Sequence, residues 1–279
     1  MDGFFICENN YWRLDVVLDV VVVSCELTKS VYFLNPNMLD LKLNDEVVFE
    51  TENGLLLGRV CKEVYKEKSD NLALPLFKVL RLAEKDDYKK LKKNANEASK
   101  ALNEAKKLSK SMDLDMNFVD AYYTLDNSQL VFLFLSENRV DFRDLAKKLA
   151  AKYKTRIELR QVGVRDKAKK IGGLGPCGLF LCCNSFLTDF NSVSINMAKN
   201  QMLALNPTKI NGICGRLLCC LSYENDTYTE MKKDLPKLGM VADTPMGMGK
   251  VVSVDVFKKT YSVDLKEQGI IDFSKDEEK

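Results

Sequence analysis

Apolar and polar positions alternate over short stretches through the first eighty residues. Val16 to Cys25 is an apolar run broken by Asp19, and its Val20-Val21-Val22-Val23 core is β-branched, which favours a buried strand. Val31-Tyr32-Phe33-Leu34 reads as a second strand closed by Asn35-Pro36-Asn37. Glu46 to Thr51 and Leu55 to Val60 flank Glu52-Asn53-Gly54, and Asn-Gly is a strong hairpin signal. The period then changes. Across 84–112, Tyr88, Leu91, Ala95, Ala98, Leu102 and Ala105 recur at 3-4-3-4-3 spacing, a narrow helical stripe among Lys, Asn, Glu and Ser. Such a helix suits either a cover over one side of a sheet or an arm against a partner.

Residues 116–162 read β-β-α-β. Phe118 to Leu125 and Leu130 to Leu135 surround the turn Asp126-Asn127-Ser128. Asp141 is placed as an N-cap for a helix over 142–153 with Phe142, Leu145, Leu149 and Ala150 on one face. Arg156 to Arg160 alternates as a strand, with Arg156, Glu158 and Arg160 outward as an ion-pair ladder or a partner face. Ser192 to Leu205 reads as a helix ended by Asn206-Pro207. Residues 236–279 read as a small β unit. Its Val241 to Gly247 echoes Val48 to Gly54 as V-x-x-T-x-x-G, so two similar antiparallel modules are expected. The fold class is therefore α+β: β-rich modules, a long helical arm and a βαβ-type core. The boundaries are 1–82 for the N-terminal β module, 83–113 for the arm, 114–235 for the core, and 236–279 for the C-terminal β module with its charged tail.

Composition narrows the chemistry. The chain has 279 residues, 46% hydrophobic and 29% charged, as expected of a soluble protein. Net charge is +2, so bulk electrostatics select no partner, yet residues 141–170 carry 11 Lys and Arg against 4 Asp and Glu. That segment is a solvated surface or a face for an anion such as RNA. There is no histidine, which excludes Ser-His and Cys-His dyads, a His base and Cys2His2 zinc sites. The start lacks a basic n-region, and no apolar run reaches the roughly 20 residues of a spanning helix, so a cytoplasmic protein with reduced thiols is expected.

One motif occurs twice. Cys177-Gly178-Leu179-Phe180-Leu181-Cys182-Cys183-Asn184-Ser185-Phe186 and Cys214-Gly215-Arg216-Leu217-Leu218-Cys219-Cys220-Leu221-Ser222-Tyr223 share C-G-x-x-L-C-C-x-S-aromatic. Six of the nine cysteines lie in these copies. Five helical steps leave a C-x4-C pair about 140° apart, so each pair converges only around a turn, which the glycine after the first Cys permits. Adjacent Cys182 and Cys183 point different ways, as do Cys219 and Cys220. Thiolates suit zinc or iron–sulfur clusters, although the spacing is that of neither a zinc ribbon nor a bacterial ferredoxin. Buried apolar thiols, a zinc-stabilised RNA-binding scaffold, and a thiol-redox pair at Cys182–Cys183 or Cys219–Cys220 are the alternatives. The loop Gly172-Gly173-x-Gly175-Pro176 leads into Cys177 and, lacking Lys-Ser/Thr, is no Walker loop. Cys7, Cys25, Cys61 and Trp12 read as packing residues.

The block Gly172 to Cys183 resembles the YaaT (RicT) family, stage 0 sporulation regulators with a polymerase-suppressor C-terminal domain. Val193 to Gln201, Leu205-Asn206-Pro207, Gly215 to Cys220, Asp141 to Asp144 and Arg156 to Gln161 carry the same likeness. It is close over about 117–223 and looser over about 30–80 and 236–265. The resemblance implies a non-enzymatic cytoplasmic adaptor. It implies a [4Fe–4S] cluster bound through thiols drawn from Cys177, Cys182, Cys183, Cys214, Cys219 and Cys220, while the residue types by themselves leave zinc as the alternative metal. It also implies assembly with small helical partners of the YlbF and YmcA type, and assistance to RNase Y in maturing messenger RNA.

Overall fold

The computed structural model describes residues 17–72, 76–187, 190–265 and 268–274. Trp12, Cys7 and the tail after Ser274 lie outside them. The chain divides into two compact units, 1–171 and 172–279. The division falls inside the 114–235 stretch that the sequence analysis groups as one core.

The first unit opens with a five-stranded antiparallel sheet: β1 (Val17–Cys25), β2 (Ser30–Leu34), β3 (Glu46–Thr51), β4 (Gly54–Lys68) and β5 (Val79–Leu82), in the order β2-β1-β4-β3-β5. The Asn53-Gly54 turn joins β3 to β4 as the pattern demands, with Thr51 paired to Gly54. Val21, Val23, Leu34, Val47, Phe49 and Val60 form its core, and Cys25 packs among them. Cys61 does not: it is exposed on β4. Beyond Val60 every β4 residue is exposed or half-buried, so burial ends where the strand outruns the core.

Helix α1 (Lys85–Ser111) follows, then β6 (Asn117–Tyr123), β7 (Gln129–Leu135), α2 (Arg143–Tyr153), β8 (Arg156–Gln161) and α3 (Val164–Ile171). β6 and β7 are antiparallel, and β8 returns parallel to β7 after α2, so the β-β-α-β reading holds. Ala98, Ala101 and Ala105 of α1 and Leu145 and Leu149 of α2 bury against Phe118, Leu130, Phe132 and Phe134. Thus α1 covers the sheet, with a face rotated from the apolar stripe. Asp87, Asn94, Ala101 and Ser109 are buried, while Tyr88 and Ala95 are exposed. The reason is polar satisfaction. Arg81 donates two hydrogen bonds to Asp87 (2.6 and 2.8 Å), whose carboxylate also accepts from the Glu84 N–H. The Arg81 guanidinium holds the Asp87 carboxyl down to about 2. Asn94 Nδ2 donates to the Thr124 carbonyl at 3.0 Å. Asp141 accepts from the Arg143 N–H and guanidinium, while Phe142 occupies the N-cap position. The 156–160 ladder does not form as ion pairs: Glu158 accepts from Gln129 Nε2 at 2.8 Å.

In the second unit come the short helices α4 (Cys182–Ser185), α5 (Ile195–Asn200) and α6 (Pro207–Ile210), then α7 (Cys219–Met231). The 192–205 helix is thus only six residues long. Asn206-Pro207 begins a helix instead of ending one: the Asn206 side chain accepts from the Thr208 N–H, and Pro207 stands at N1, where its missing N–H costs nothing. Last is the antiparallel meander β9 (Val241–Thr244), β10 (Gly247–Asp255), β11 (Thr260–Asp264) and β12 (Ile270–Ser274). The echoed turns match: Thr51 and Thr244 each donate to the glycine carbonyl three residues on, at 2.8 and 2.6 Å, and Gly54 and Gly247 share φ near 118° (119° and 117°). No helix among the described residues is long and apolar enough to cross a membrane.

Candidate metal centre built from two cysteine copies

Each copy is a small hairpin turned into a helix. In the first, Leu174 bridges Phe180; the Gly175 N–H donates to the Leu179 carbonyl (2.8 Å), the Gly178 N–H to the Gly175 carbonyl (3.0 Å) and the Leu181 N–H to the Gly173 carbonyl (3.1 Å). In the second, Asn211 bridges Leu217, and the same three bonds recur from Gly212, Gly215 and Leu218 at 2.8, 2.9 and 2.9 Å. Gly178 and Gly215 sit at φ +80° and +76°, which the sharp turn requires and side chains disfavour. The first thiol of each copy folds back over a glycine. A Cβ at Gly175 would stand 3.4 Å from Cys177 Sγ, and one at Gly212 would stand 3.7 Å from Cys214 Sγ. Leu181 and Leu218 then share one conformation (φ −54°, ψ 125° and φ −56°, ψ 127°) and deliver Cys182 and Cys219 as the first residues of α4 and α7.

The copies meet through equivalent residues. The Cys182 thiol has the Cys219 thiol within hydrogen-bonding reach, and the Phe186 and Tyr223 rings pack edge to face at 5.2 Å. Each residue is 37 positions from its partner, so the two turns meet through equivalent positions of the repeat. In each copy the thiol and the ring are four residues apart.

Burial pushes the Cys182 thiol up, and neighbouring Cys219 and Cys177 add to it. Burial also pushes Cys220 up to about 11, with Glu224, Cys182, Cys219 and Cys177 contributing in that order. Cys177 and Cys219, two of the six expected ligands, thus lie close enough to act on Cys182 and Cys220. Cys183 is buried, and Cys214 is half-buried over Gly212. Among the described residues, no group of three or more Cys, Asp or Glu is close enough to hold a single metal ion. A tetrahedral zinc–thiolate site needs sulfurs about 3.8 Å apart. A cavity of about 230 Å3 adjoins Cys219, with Phe190, Ser222, Tyr223 and Asp226 on its wall.

The second copy is tied down by α5. Gln201 Nε2 donates to the Leu221 carbonyl at 2.7 Å, and Asn200 Nδ2 donates to Asn225 Oδ1 (3.1 Å) and Thr229 Oγ1 (2.9 Å). Burial lowers the Lys232 ammonium, which donates to the Asn200 carbonyl. Glu224 and the Phe186–Tyr223 contact escape sequence reasoning about the cysteines. The 37-residue offset held the signal for the ring pair.

Residues 77–162 match the family described as PSP1 C-terminal conserved region, and residues 192–235 match the PSP1-like protein, third domain. The chain is 42% identical over 247 residues to the stage 0 sporulation protein YaaT of Bacillus subtilis, covering 88% of this chain and 90% of that protein. It is also similar to two yeast proteins. One is Protein PSP1 of Saccharomyces cerevisiae, at 26% identity over 57% of this chain and 19% of the relative. The other is an uncharacterized protein of Schizosaccharomyces pombe, at 28% over 46% and 21%. Both likenesses thus span about a fifth of the yeast chains. No solved structure matches significantly.

Proposed function

The chain belongs to the YaaT family of PSP1-type proteins, and from that premise we propose that it is a non-enzymatic, cytoplasmic regulatory adaptor that binds a [4Fe–4S] cluster through its duplicated cysteine turns. Assembled with small helical partners of the YlbF and YmcA type, it assists RNase Y in processing messenger RNA. The observation that carries the cluster reading is the meeting of the two copies through equivalent thiols. Cys177, Cys182, Cys219 and Cys220 would hold the group, and their chain positions supply four thiolates, the usual complement. Cys183 and Cys214 are then left for packing or for a site completed by a partner chain. A bound cluster would supply a negatively charged, redox-active or purely structural joint, and Arg216, exposed on the second turn, is a cation placed to favour it.

The experiment is anaerobic purification of the chain alone and after co-expression with the two partner types, followed by iron, sulfide and visible-absorption analysis. Iron and sulfide in near-equal amounts with a broad thiolate-to-iron band support the reading. A colourless protein in both preparations contradicts it. The Cys182–Cys219 contact favours one second reading, a thiol-redox sensor. It would show as a Cys182–Cys219 disulfide formed by exchange with a small-molecule disulfide in protein that never carries iron.

A further inference from the structure

We propose that α1 carries a second binding surface, a lysine ridge that takes the phosphate backbone of a nucleic acid. Helix α1 has nine lysines against four acidic residues. At 100° per residue, Lys85, Lys89, Lys92, Lys93, Lys100, Lys107 and Lys110 fall within a sector of about 100°. That sector lies opposite the face of Asp87, Asn94, Ala98, Ala101 and Ala105 that is buried on the sheet. All seven ridge lysines are exposed. At 1.5 Å per residue the ridge runs about 37 Å from Lys85 to Lys110.

The acids of the helix are kept off this ridge. Asp87 is buried against Arg81. Glu104 is held by Lys152 and the Tyr153 hydroxyl of α2, which turns it toward that helix. Asp86 and Glu97 lie on one flank. Among the described residues only Lys89 of the seven makes an ion pair, with Asp86. An ordinary solvated helix face interleaves the two signs at i, i+4, where they support each other. Here like charges stand at four- and seven-residue spacing, an arrangement that costs stability unless an anion neutralises it. The ridge holds Lys and no Arg, so it offers point charges to a backbone and no planar fork for reading bases. It therefore fits a strand taken without regard to sequence. It differs from the 141–170 segment, where Arg143, Lys147, Lys152 and Lys170 are each paired to a carboxylate.

The test uses the full chain and a labelled homopolymeric RNA, read by fluorescence anisotropy across a salt series. Single-stranded DNA of the same length and duplexes of both kinds form parallel arms. The variant Lys89→Gln/Lys93→Gln/Lys100→Gln/Lys107→Gln keeps helix-forming residues at exposed positions, and circular dichroism checks that helicity is unchanged. We expect the variant to bind at least tenfold more weakly at low salt. Its log–log salt slope for a single strand should be shallower by about 3, at about 0.7 per phosphate contact. Equal binding by RNA and DNA supports backbone recognition. An unchanged slope and affinity, no binding by the unaltered chain at low salt, or polyglutamate binding as tightly as RNA each overturns the proposal. No cysteine is touched, so a failure here leaves the cluster reading standing, and the reverse.

Discussion

The two cysteine copies share a backbone and differ in what surrounds it. The second is built into a core: Leu221 is 1% exposed and packs with Ile210 and Ala198, and α7 runs thirteen residues past the turn. The first has Asn184 where the second has Leu221, ends its helix after four residues, and leaves Leu179 and Phe180 each 71% exposed. Two equivalent contacts, thiol to thiol and ring to ring, join it to the second copy. The second copy is therefore the more firmly packed of the two. A duplicated motif can thus conserve hydrogen bonds while assigning its copies different work: one holds, the other presents an apolar surface and thiols.

The sharpest way to break this comparison is to cut into the more firmly packed copy. Leu221→Ala should lose about 2–5 kcal/mol in urea unfolding, as a fully buried leucine does. Phe180→Ala on the first copy should stay within about 0.5 kcal/mol. Equal losses would erase the asymmetry. The backbone likeness predicts a matched pair: Gly178→Ala and Gly215→Ala should each cost about 1–2 kcal/mol, because only the left-handed conformation opposes them and a Cβ meets nothing within 4 Å. Unequal costs would mean that the turns are not equivalent.

The thiols give a smaller, pH-dependent effect. Burial raises Cys220 to about 11, above the ordinary unfolded thiol near 8.5. The folded chain therefore holds this proton more tightly than the unfolded one. The contribution is fully present below about 8.5 and is lost as pH rises through about 11. Thermal melts of metal-free protein should fall over that window, and Cys220→Ser should flatten the fall. The same protons compete with metal, so cluster loading should increase with pH. Smallest of all, Arg216→Leu gives the second turn the residue of the first. It should change stability by less than about 0.5 kcal/mol while reducing cluster retention during desalting.

Much of the frame was legible. Val20 to Val23, Asn53-Gly54 and the alternation of 156–160 announce their strands because local preference and burial agree there. The α1 face was misjudged because Asp87 and Asn94 are buried by partners distant in sequence, Arg81 and the Thr124 carbonyl, which periodicity cannot register. Asn206-Pro207 carries helix-start and helix-stop signals at once, and the cap to Thr208 decides it. Exposed Cys61 resembles Cys25 in sequence, since exposure depends on where β4 leaves the core. The repeat at 37 residues was plain. That its copies face each other was not, because a repeat specifies likeness and leaves the symmetry between its members open.

The most direct test of the central claim is iron and acid-labile sulfide per chain in anaerobically prepared protein with its partners, compared among single cysteine variants. The two-copy site predicts that Cys182→Ser and Cys219→Ser both abolish the iron while Cys183→Ser retains it. Iron retained in both Cys182→Ser and Cys219→Ser, or lost only in Cys183→Ser, would contradict a centre formed where the two copies meet.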